Sequence, residues 1–272
     1  MFAFWGRRAN VELQLPFIRR ILEEHPEVEF HGWDLARDIR DSRYLRTIKG
    51  ERITIQTAFY GPIASRGQTL VWKHYAQPQY RDCVFVKLDD DDVFLETGAF
   101  DSFINAARNR PDSVISATVI NNGACTRLIP DIWDMFQALD IPLLDVHLSA
   151  EYAEKSHRWF FDNWQTITGQ PMALTPCEDW LSINCLAYTY QVGVEIAALL
   201  GQRSPRHIAG RDFTPRNRIG DEGAANMLPR YIHRGFVCGH LNFGPQIRDM
   251  DDALYTELRK QYADIGLQYL EQ

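Results

Sequence analysis

CVFVKLDDDD, residues 83–92, carries the strongest strand signal in this chain. Its first six residues are mostly apolar, with β-branched and aromatic side chains, which is typical of a buried strand. Four aspartates, Asp89, Asp90, Asp91 and Asp92, follow directly. Ligands gather at the carboxyl ends of strands in open α/β sheets, and four adjacent like charges at such a place need compensation. The segment therefore predicts a central strand that ends in a charged ligand site.

A divalent cation is a simple way to neutralise adjacent carboxylates. Mg²⁺ and Mn²⁺ prefer carboxylate oxygen, and proteins usually hold them with one or two carboxylates together with substrate phosphates. A solvated acidic turn is the alternative. A calcium loop of the EF-hand type does not fit, because that loop needs spaced acids around a central glycine. We therefore expect a metal site at this strand end.

The sequence on either side predicts an α/β domain with a mixed, mostly parallel sheet flanked by helices. One strand–helix–strand unit is expected near the N-terminus. It consists of a strand at residues 2–5, a helix that has Pro16 in its first turn and stops near Pro26, and a strand at residues 28–33. Further strands are expected at 53–59, 114–120 and 236–243, and further helices at 97–110, 128–138, 150–161, 221–228 and 253–270. Residues 180–200 are apolar but resist division into elements. No linker interrupts the chain, so residues 1–272 are expected to form one domain.

The composition excludes several classes of protein. A hydrophobic fraction of 45% excludes a mainly disordered chain, and a net charge of −7 argues against a protein dominated by binding to a nucleic-acid backbone. Five scattered cysteines without a C-x-x-C pair argue against a disulfide framework or a zinc cluster. No apolar run approaches the ~20 residues of a membrane span, and the N-terminus lacks the features of a signal peptide. We expect a cytoplasmic protein without stable membrane insertion.

Residues 85–94, FVKLDDDDVF, resemble the D-x-D segment of nucleotide-sugar glycosyltransferases of the GT-A fold. The resemblance implies a Rossmann-like sheet in which this motif ends a central strand, and carboxylates that hold Mn²⁺ or Mg²⁺ against the donor diphosphate. Two registers fit the motif: Asp89 with Asp91, and Asp90 with Asp92. The first matches the family's form better, so the resemblance makes Asp89 and Asp91 the expected metal ligands.

Two later motifs extend the resemblance. GDEG at residues 220–223 resembles the acidic motif that supplies the catalytic base in inverting members, which makes Asp221 and Glu222 the expected base. The family usually has Glu before Asp, an order found instead at Glu178 and Asp179, the competing pair. GHLNF at residues 239–243 resembles a C-terminal histidine that some members use as a metal ligand, so His240 is the third expected ligand.

Residues at other predicted strand ends are expected to contact the substrates. The expected nucleotide-sugar contacts are Trp5, Gly6, Arg7, Asp34, Lys87 and Asp90, and the expected acceptor or sugar contacts are Asn121 and Asn122. Five arginines between residues 203 and 218 lie among Pro, Gly and Ser. They predict either a solvated surface loop or a cover over a diphosphate or an anionic acceptor.

Taken together, these patterns predict a metal-dependent glycosyltransferase that moves a sugar from a nucleoside-diphosphate sugar to an acceptor hydroxyl, with inversion favoured over retention. Residues 1–120 would bind the nucleotide sugar and residues 121–272 the acceptor. One alternative is a nucleotidyltransferase acting on a sugar phosphate, although residues 5–8 lack its Gly-rich loop. Another is a non-catalytic divalent-metal-binding protein. The acceptor stays open among a glycan, a lipid-linked sugar, a protein, a small molecule and a modified nucleic-acid base.

Overall fold

The computed structural model describes residues 1–61 and 66–272 and shows a mixed α/β fold built on a nine-stranded sheet. The strands are β1 (Phe2–Trp5), β2 (Phe30–Asp34), β3 (Ile53–Gln56), β4 (Val84–Asp89), β5 (Asp92–Leu95), β6 (Val114–Ile120), β7 (Leu174–Pro176), β8 (Leu186–Thr189), β9 (His207–Ile208), β10 (Arg211–Asp212) and β11 (Arg230–His240). The helices are α1 (Arg8–Glu24), α2 (Ile39–Leu45), α3 (Gly67–Tyr75), α4 (Phe100–Asn109), α5 (Gly123–Thr126), α6 (Pro130–Gln137), α7 (Ala150–Ile167), α8 (Tyr190–Leu199), α9 (Asp221–Ala225), α10 (Gly244–Asp249) and α11 (Asp252–Leu270).

The strand order places the aspartates in the middle of the sheet. The order is β3-β2-β1-β4-β8-β6-β11-β5, with β7 beside β11, while β9 and β10 form a separate hairpin. Strands β1 to β4 are parallel where they pair, and β6 is parallel to β11. Strand β8 is antiparallel to both β4 and β6, so β4, β6 and β11 run in the same direction. The carboxyl ends of β1, β4, β6 and β11 therefore share one side of the sheet, which we call the carboxyl edge.

Helices cover the sheet with large apolar side chains. Helix α1 packs against β5 and α11, and α4 packs against β4, β6, β8 and β11. An aromatic cluster reinforces β1, where the ring centroids of Phe2 and Tyr75 are 4.5 Å apart. None of the helices in the described part of the chain is long and apolar enough to cross a membrane.

The strands predicted at residues 2–5 and 114–120 are confirmed at their full length. The helix expected to have Pro16 in its first turn instead begins at Arg8, and Pro16 lies in its interior, on the exposed face. A proline is tolerated there because water can reach the carbonyl that loses its hydrogen bond. Residues 180–200 divide into strand β8 and helix α8. Among the described residues, sequence reasoning missed eight helices and strands: α2, α3, α5, α10, β5, β7, β9 and β10.

The fully buried side chain of Gln14 ties helix α1 to the aspartate turn. Its Oε1 accepts from Trp5 Nε1 at 2.7 Å. Its Nε2 donates to the backbone carbonyls of Asp89 and Asp92 at 2.7 and 2.9 Å. One amide therefore fixes the end of β1, the end of β4 and the start of β5 relative to one another.

We expect Gln14→Leu to lower the free energy of unfolding by about 3 kcal/mol, because it leaves the buried Trp5 N–H and two carbonyls without this partner. Urea denaturation followed by circular dichroism measures the change. Gln191→Leu, on the exposed face of α8, is the matched control and should change stability by less than about 0.5 kcal/mol. Equal effects of the two substitutions would contradict the bridging role.

Candidate functional site

The aspartate turn is held by a guanidinium that comes from the end of β1. Arg7 Nη2 lies 2.5 Å from Asp90 Oδ1 and 2.7 Å from Asp91 Oδ2, and Arg7 Nε donates to Asp90 Oδ2 at 3.0 Å. The backbone N–H of Gly6 also donates to Asp90 Oδ2, at 3.2 Å. Both oxygens of Asp90 are thus bound to the protein, so Asp90 positions Arg7 and the carboxylate of Asp91 is anchored on one side.

A second cation, the buried ammonium group of Lys87, binds Asp89. Lys87 Nζ is 2.6 Å from Asp89 Oδ1, and the Lys87 side chain is only 1% exposed. The same ammonium donates to the carbonyls of Ile183 and Asn184. Burial opposes a charge on Lys87, but the carboxylate of Asp89 raises its pKa overall. Lys87 therefore stays protonated and holds Asp89 in place.

Asp89, Asp91 and His240 converge on one point of the carboxyl edge. One ligand atom from each lies within 4.8 Å of the others. His240 Nε2 is 3.4 Å from Asp91 Oδ1, and the backbone N–H of Leu241 donates to the carbonyl of Asp91 at 2.8 Å. The pairing of β11 with β5 shifts register between Gly239 and His240, and such a bulge re-aims a side chain.

The donor set fits a hard divalent cation. Lys87 binds one oxygen of Asp89, and Arg7 binds one oxygen of Asp91. Within residues 1–61 and 66–272, no hydrogen-bond donor reaches the other oxygen of Asp89, Oδ2. His240 Nδ1 is buried and has no hydrogen-bond partner in the same part of the chain. Two carboxylates and an imidazole are ligands that Mn²⁺ accepts. The three residues would hold it.

The electrostatics of the turn favour binding of positive charge. Burial, which outweighs the effect of Lys87, raises the pKa of Asp89 to about 6. Burial and the charge of Asp89 raise the pKa of Asp92 to about 7. Burial opposes charge on Asp91, yet His240 and Arg7 lower its pKa below the usual aspartate range. The charged forms of Asp89 and Asp92 are therefore disfavoured in the turn, and a bound cation would stabilise them.

Several residues expected to touch substrate are turned into the protein. Trp5 is fully buried, as is Asp34, whose carboxylate accepts from Ser42 Oγ at 2.7 Å and so holds α2. The amides of Asn121 and Gln246 bond to each other at 2.9 and 3.0 Å. Asn122 caps helix α5 and donates to Ser182 and Asn184. These side chains shape the carboxyl edge, and the structure does not bring them to its surface.

Asp221 and Glu222 open helix α9 on the wall of a cleft of about 280 Å³. Burial raises the pKa of Glu222 despite hydrogen bonds from Ser182 and Trp180, which makes its carboxylate a stronger base. Asp221 Oδ2 accepts from Trp72 Nε1 at 3.2 Å. Neither residue of the competing pair lines the cleft, although Trp180 follows them directly: Glu178 is exposed, and Asp179 forms an ion pair with Arg127 at 3.0 Å.

Sequence reasoning missed the importance of Trp180, which lines this cleft together with Arg211, Phe213 and Arg218. It also missed Gln14. A tryptophan directly after an acidic pair was the available signal for Trp180, whereas nothing in the local pattern marked Gln14.

Comparisons with known proteins give little further information. No family model matches the chain, and no solved structure matches it. The 3-dehydroquinate dehydratase of Clostridium acetobutylicum is 29% identical in an alignment of 93 residues that covers 31% of this chain and 62% of that protein. The match thus spans less than two thirds of that relative, and it assigns no family to this chain.

The raised pKa of Asp92 predicts a specific dependence of stability on pH. An acid whose pKa is higher in the folded than in the unfolded state stabilises the fold below its unfolded pKa, near 3.8, and loses that contribution as the pH rises through about 7. We therefore expect Asp92→Asn to unfold with a free energy about 1–3 kcal/mol higher than wild type at pH 8 and without that advantage at pH 4.

Urea denaturation in EDTA at both pH values measures this difference. The amide introduced by Asp92→Asn keeps an oxygen that can accept from the backbone N–H of Asp89, a bond of 2.9 Å in the wild type. Asp82→Asn, an exposed aspartate before β4, is the control and should follow the wild type at both pH values. An Asp92→Asn protein as sensitive to pH as the wild type would exclude Asp92 as the group responsible.

Proposed function

We propose that this protein is a metal-dependent glycosyltransferase with a GT-A-like fold, which transfers a sugar from a nucleoside-diphosphate sugar to an acceptor hydroxyl. The observation that carries the proposal is the convergence of Asp89, Asp91 and His240 at the carboxyl edge, beside the guanidinium of Arg7. A mostly parallel sheet whose central strand ends in the D-x-D segment supports it. We propose the cytoplasm as its compartment, since all five cysteines are unpaired.

Asp89, Asp91 and His240 would hold Mn²⁺ or Mg²⁺, which would stabilise the negative charge of the leaving nucleoside diphosphate. The Arg7 side chain is 37% exposed, so it can donate to a phosphate oxygen while it keeps its bonds to Asp90. Lys87 is too deeply buried for such a contact, and its role is to orient Asp89.

Glu222 is the proposed general base. It would take the proton from the acceptor hydroxyl while that oxygen forms a bond to the anomeric carbon and the bond from this carbon to the diphosphate breaks, with inversion. Its raised pKa suits proton abstraction near neutral pH. Asp221 accepts from Trp72 and from the backbone N–H of Glu222, so it fixes the start of α9.

Asp91→Asn should abolish the metal-dependent binding of donor. We expect one nucleotide sugar from a panel to raise the melting temperature of the wild type only with Mn²⁺, because a ligand that binds the native state stabilises it by mass action. Differential scanning fluorimetry and isothermal titration with MnCl₂ measure the effect. Asp82→Asn, at the opposite end of the same strand, should bind like the wild type. The proposal would be overturned if the nucleotide sugar raised the melting temperature equally without Mn²⁺ and in the Asp91→Asn protein.

Glu222→Gln should lower kcat for transfer about 10²–10⁴-fold and leave donor binding within about twofold of wild type, as expected for loss of a general base. Release of nucleoside diphosphate, measured with a panel of free saccharides as acceptors, gives kcat, and titration calorimetry gives the affinity for donor. Glu178→Gln is the matched control and should retain wild-type turnover. Loss of turnover in the control instead would assign the base to the competing pair.

A further inference from the structure

Residues 201–220 form a basic hairpin, part of which lines the cleft that contains Glu222. Backbone bonds between Gln202 and Ile219 and between Gly201 and Ile219 close its base, and β9 pairs with β10 near its tip. The segment contains five arginines and one aspartate, a net charge of +4 in a chain whose net charge is −7. Its aspartate, Asp212, pairs with His207 at 3.0 Å. Within the described residues, no carboxylate lies within 4.0 Å of any of these arginines.

Some other surface arginines of this protein are paired with carboxylates, whereas the hairpin is set apart, in the described part of the chain, by five unpaired arginines within 16 residues. Arg40, Arg127 and Arg158 all lie within 3.2 Å of a carboxylate, although each is on the surface. An acidic protein that leaves five neighbouring guanidinium groups without carboxylates maintains a strong local positive potential there. Such a potential attracts an anion, and the guanidinium fork matches the oxygens of a carboxylate or a phosphate.

Two of the five arginines face the cleft that contains Glu222. Arg211 and Arg218 line it, and the guanidinium of Arg211 lies 4.8 Å from the ring centre of Trp180. Phe213 packs 5.7 Å from the same ring. Stacking on an aromatic face restricts the guanidinium, so less freedom is lost when it binds an anion. The cleft therefore combines an oriented cation, aromatic surface and a carboxylate base.

We propose that this cleft binds an acceptor saccharide that carries a carboxylate or a phosphate, with Arg211 and Arg218 as the groups that recognise the anion. The inference rests on the proposed function, because it makes the cleft the acceptor site of that reaction. A volume of about 280 Å³ is at the lower end for small-molecule sites, which suits the terminal residues of a saccharide. Binding the anion at the arginines brings a hydroxyl of the same saccharide toward Glu222.

The test compares anionic saccharides with neutral partners of the same shape. Isothermal titration with digalacturonic acid and its dimethyl ester examines the carboxylate, and glucose 1-phosphate with glucose examines the phosphate. Each titration is run in EDTA and again with Mn²⁺ and UDP. The second condition detects saccharide binding that requires the nucleotide to bind first. We expect one anionic form to bind at least about tenfold more tightly than its neutral partner, and Arg211→Gln and Arg218→Gln each to lower that affinity about tenfold.

Arg206→Gln is the matched control. It removes the same charge from the same hairpin, but residue 206 does not line the cleft, so affinity should stay within about twofold. The proposal is overturned if the neutral partner binds as tightly as the acid, if no anionic saccharide binds, or if Arg206→Gln weakens binding as much as Arg211→Gln. It is also overturned if Arg211→Gln and Arg218→Gln weaken binding of UDP with Mn²⁺ and leave saccharide binding unchanged, since the hairpin would then serve the donor.

The two proposals fail in different measurements. Saccharide binding in EDTA needs neither donor nor metal, so Asp91→Asn should retain it. A protein that binds anionic saccharides through Arg211 but never binds a nucleotide sugar would overturn the glycosyltransferase proposal, and with it the acceptor role, while the cleft would remain a site for anionic saccharides. A protein that binds a donor through Asp91 and no anionic saccharide would overturn only the assignment of the acceptor.

Discussion

The balance of buried charge at the end of β4 is the constraint on which the rest of the structure depends. Four consecutive carboxylates face two fixed cations, Arg7 and Lys87, and a buried charge that loses its partner costs about 3–5 kcal/mol. Arg7 comes from a position 83 residues before Asp90, and the register of β1 with β4 brings it there. The first strand of the chain is thus required before the aspartate turn can be stable. Two cations do not balance four carboxylates, and this imbalance is the reason that we propose a further cation at the turn.

His240 contributes to this charge balance although it is distant from the aspartates in the sequence. The backbone geometry at the end of β11 brings it to the turn. The bulge at the end of β11 turns its imidazole toward Asp91, and the N–H of Leu241 bonds to the carbonyl of Asp91. Gly239 is needed for this approach, since a Cβ there would lie 2.6 Å from a ring carbon of Tyr262. A glycine before the histidine therefore lets β11 pass under α11 closely enough for the imidazole to reach the turn.

The sequence predicted elements well where local pattern and burial agree, and it failed where tertiary contacts decide. All seven residues of β6 are buried, and a run of apolar and β-branched residues, interrupted only by Ser116, marked that strand correctly. Asp34 lies at a strand end, so the sequence predicted it as a substrate contact. Its carboxylate instead accepts a hydrogen bond from Ser42, which lies in helix α2, an element that sequence reasoning missed. Asn121 adopts a left-handed backbone with φ 64° and pairs with Gln246, a partner 125 residues away that no local pattern indicates. The grouping of Asp89, Asp91 and His240 was predictable in residue type and order, whereas the anchoring of each carboxylate by its own cation was not.

Trp180 links the two charged regions of the carboxyl edge. It lines the cleft beside Arg211 and Glu222, and it also lines a small adjoining pocket with Ser182 and Phe243. Phe243 in turn packs 4.5 Å from the ring of His240. A continuous wall therefore runs from the carboxylate site, which attracts a cation, to the arginine hairpin, which attracts an anion. Since a nucleoside diphosphate is itself an anion, the carboxylate site would accept it only together with a metal ion, whereas the arginine hairpin attracts an anion directly. In the proposed reaction, the reacting atoms would meet beside Trp180, between the proposed metal ligands and Glu222.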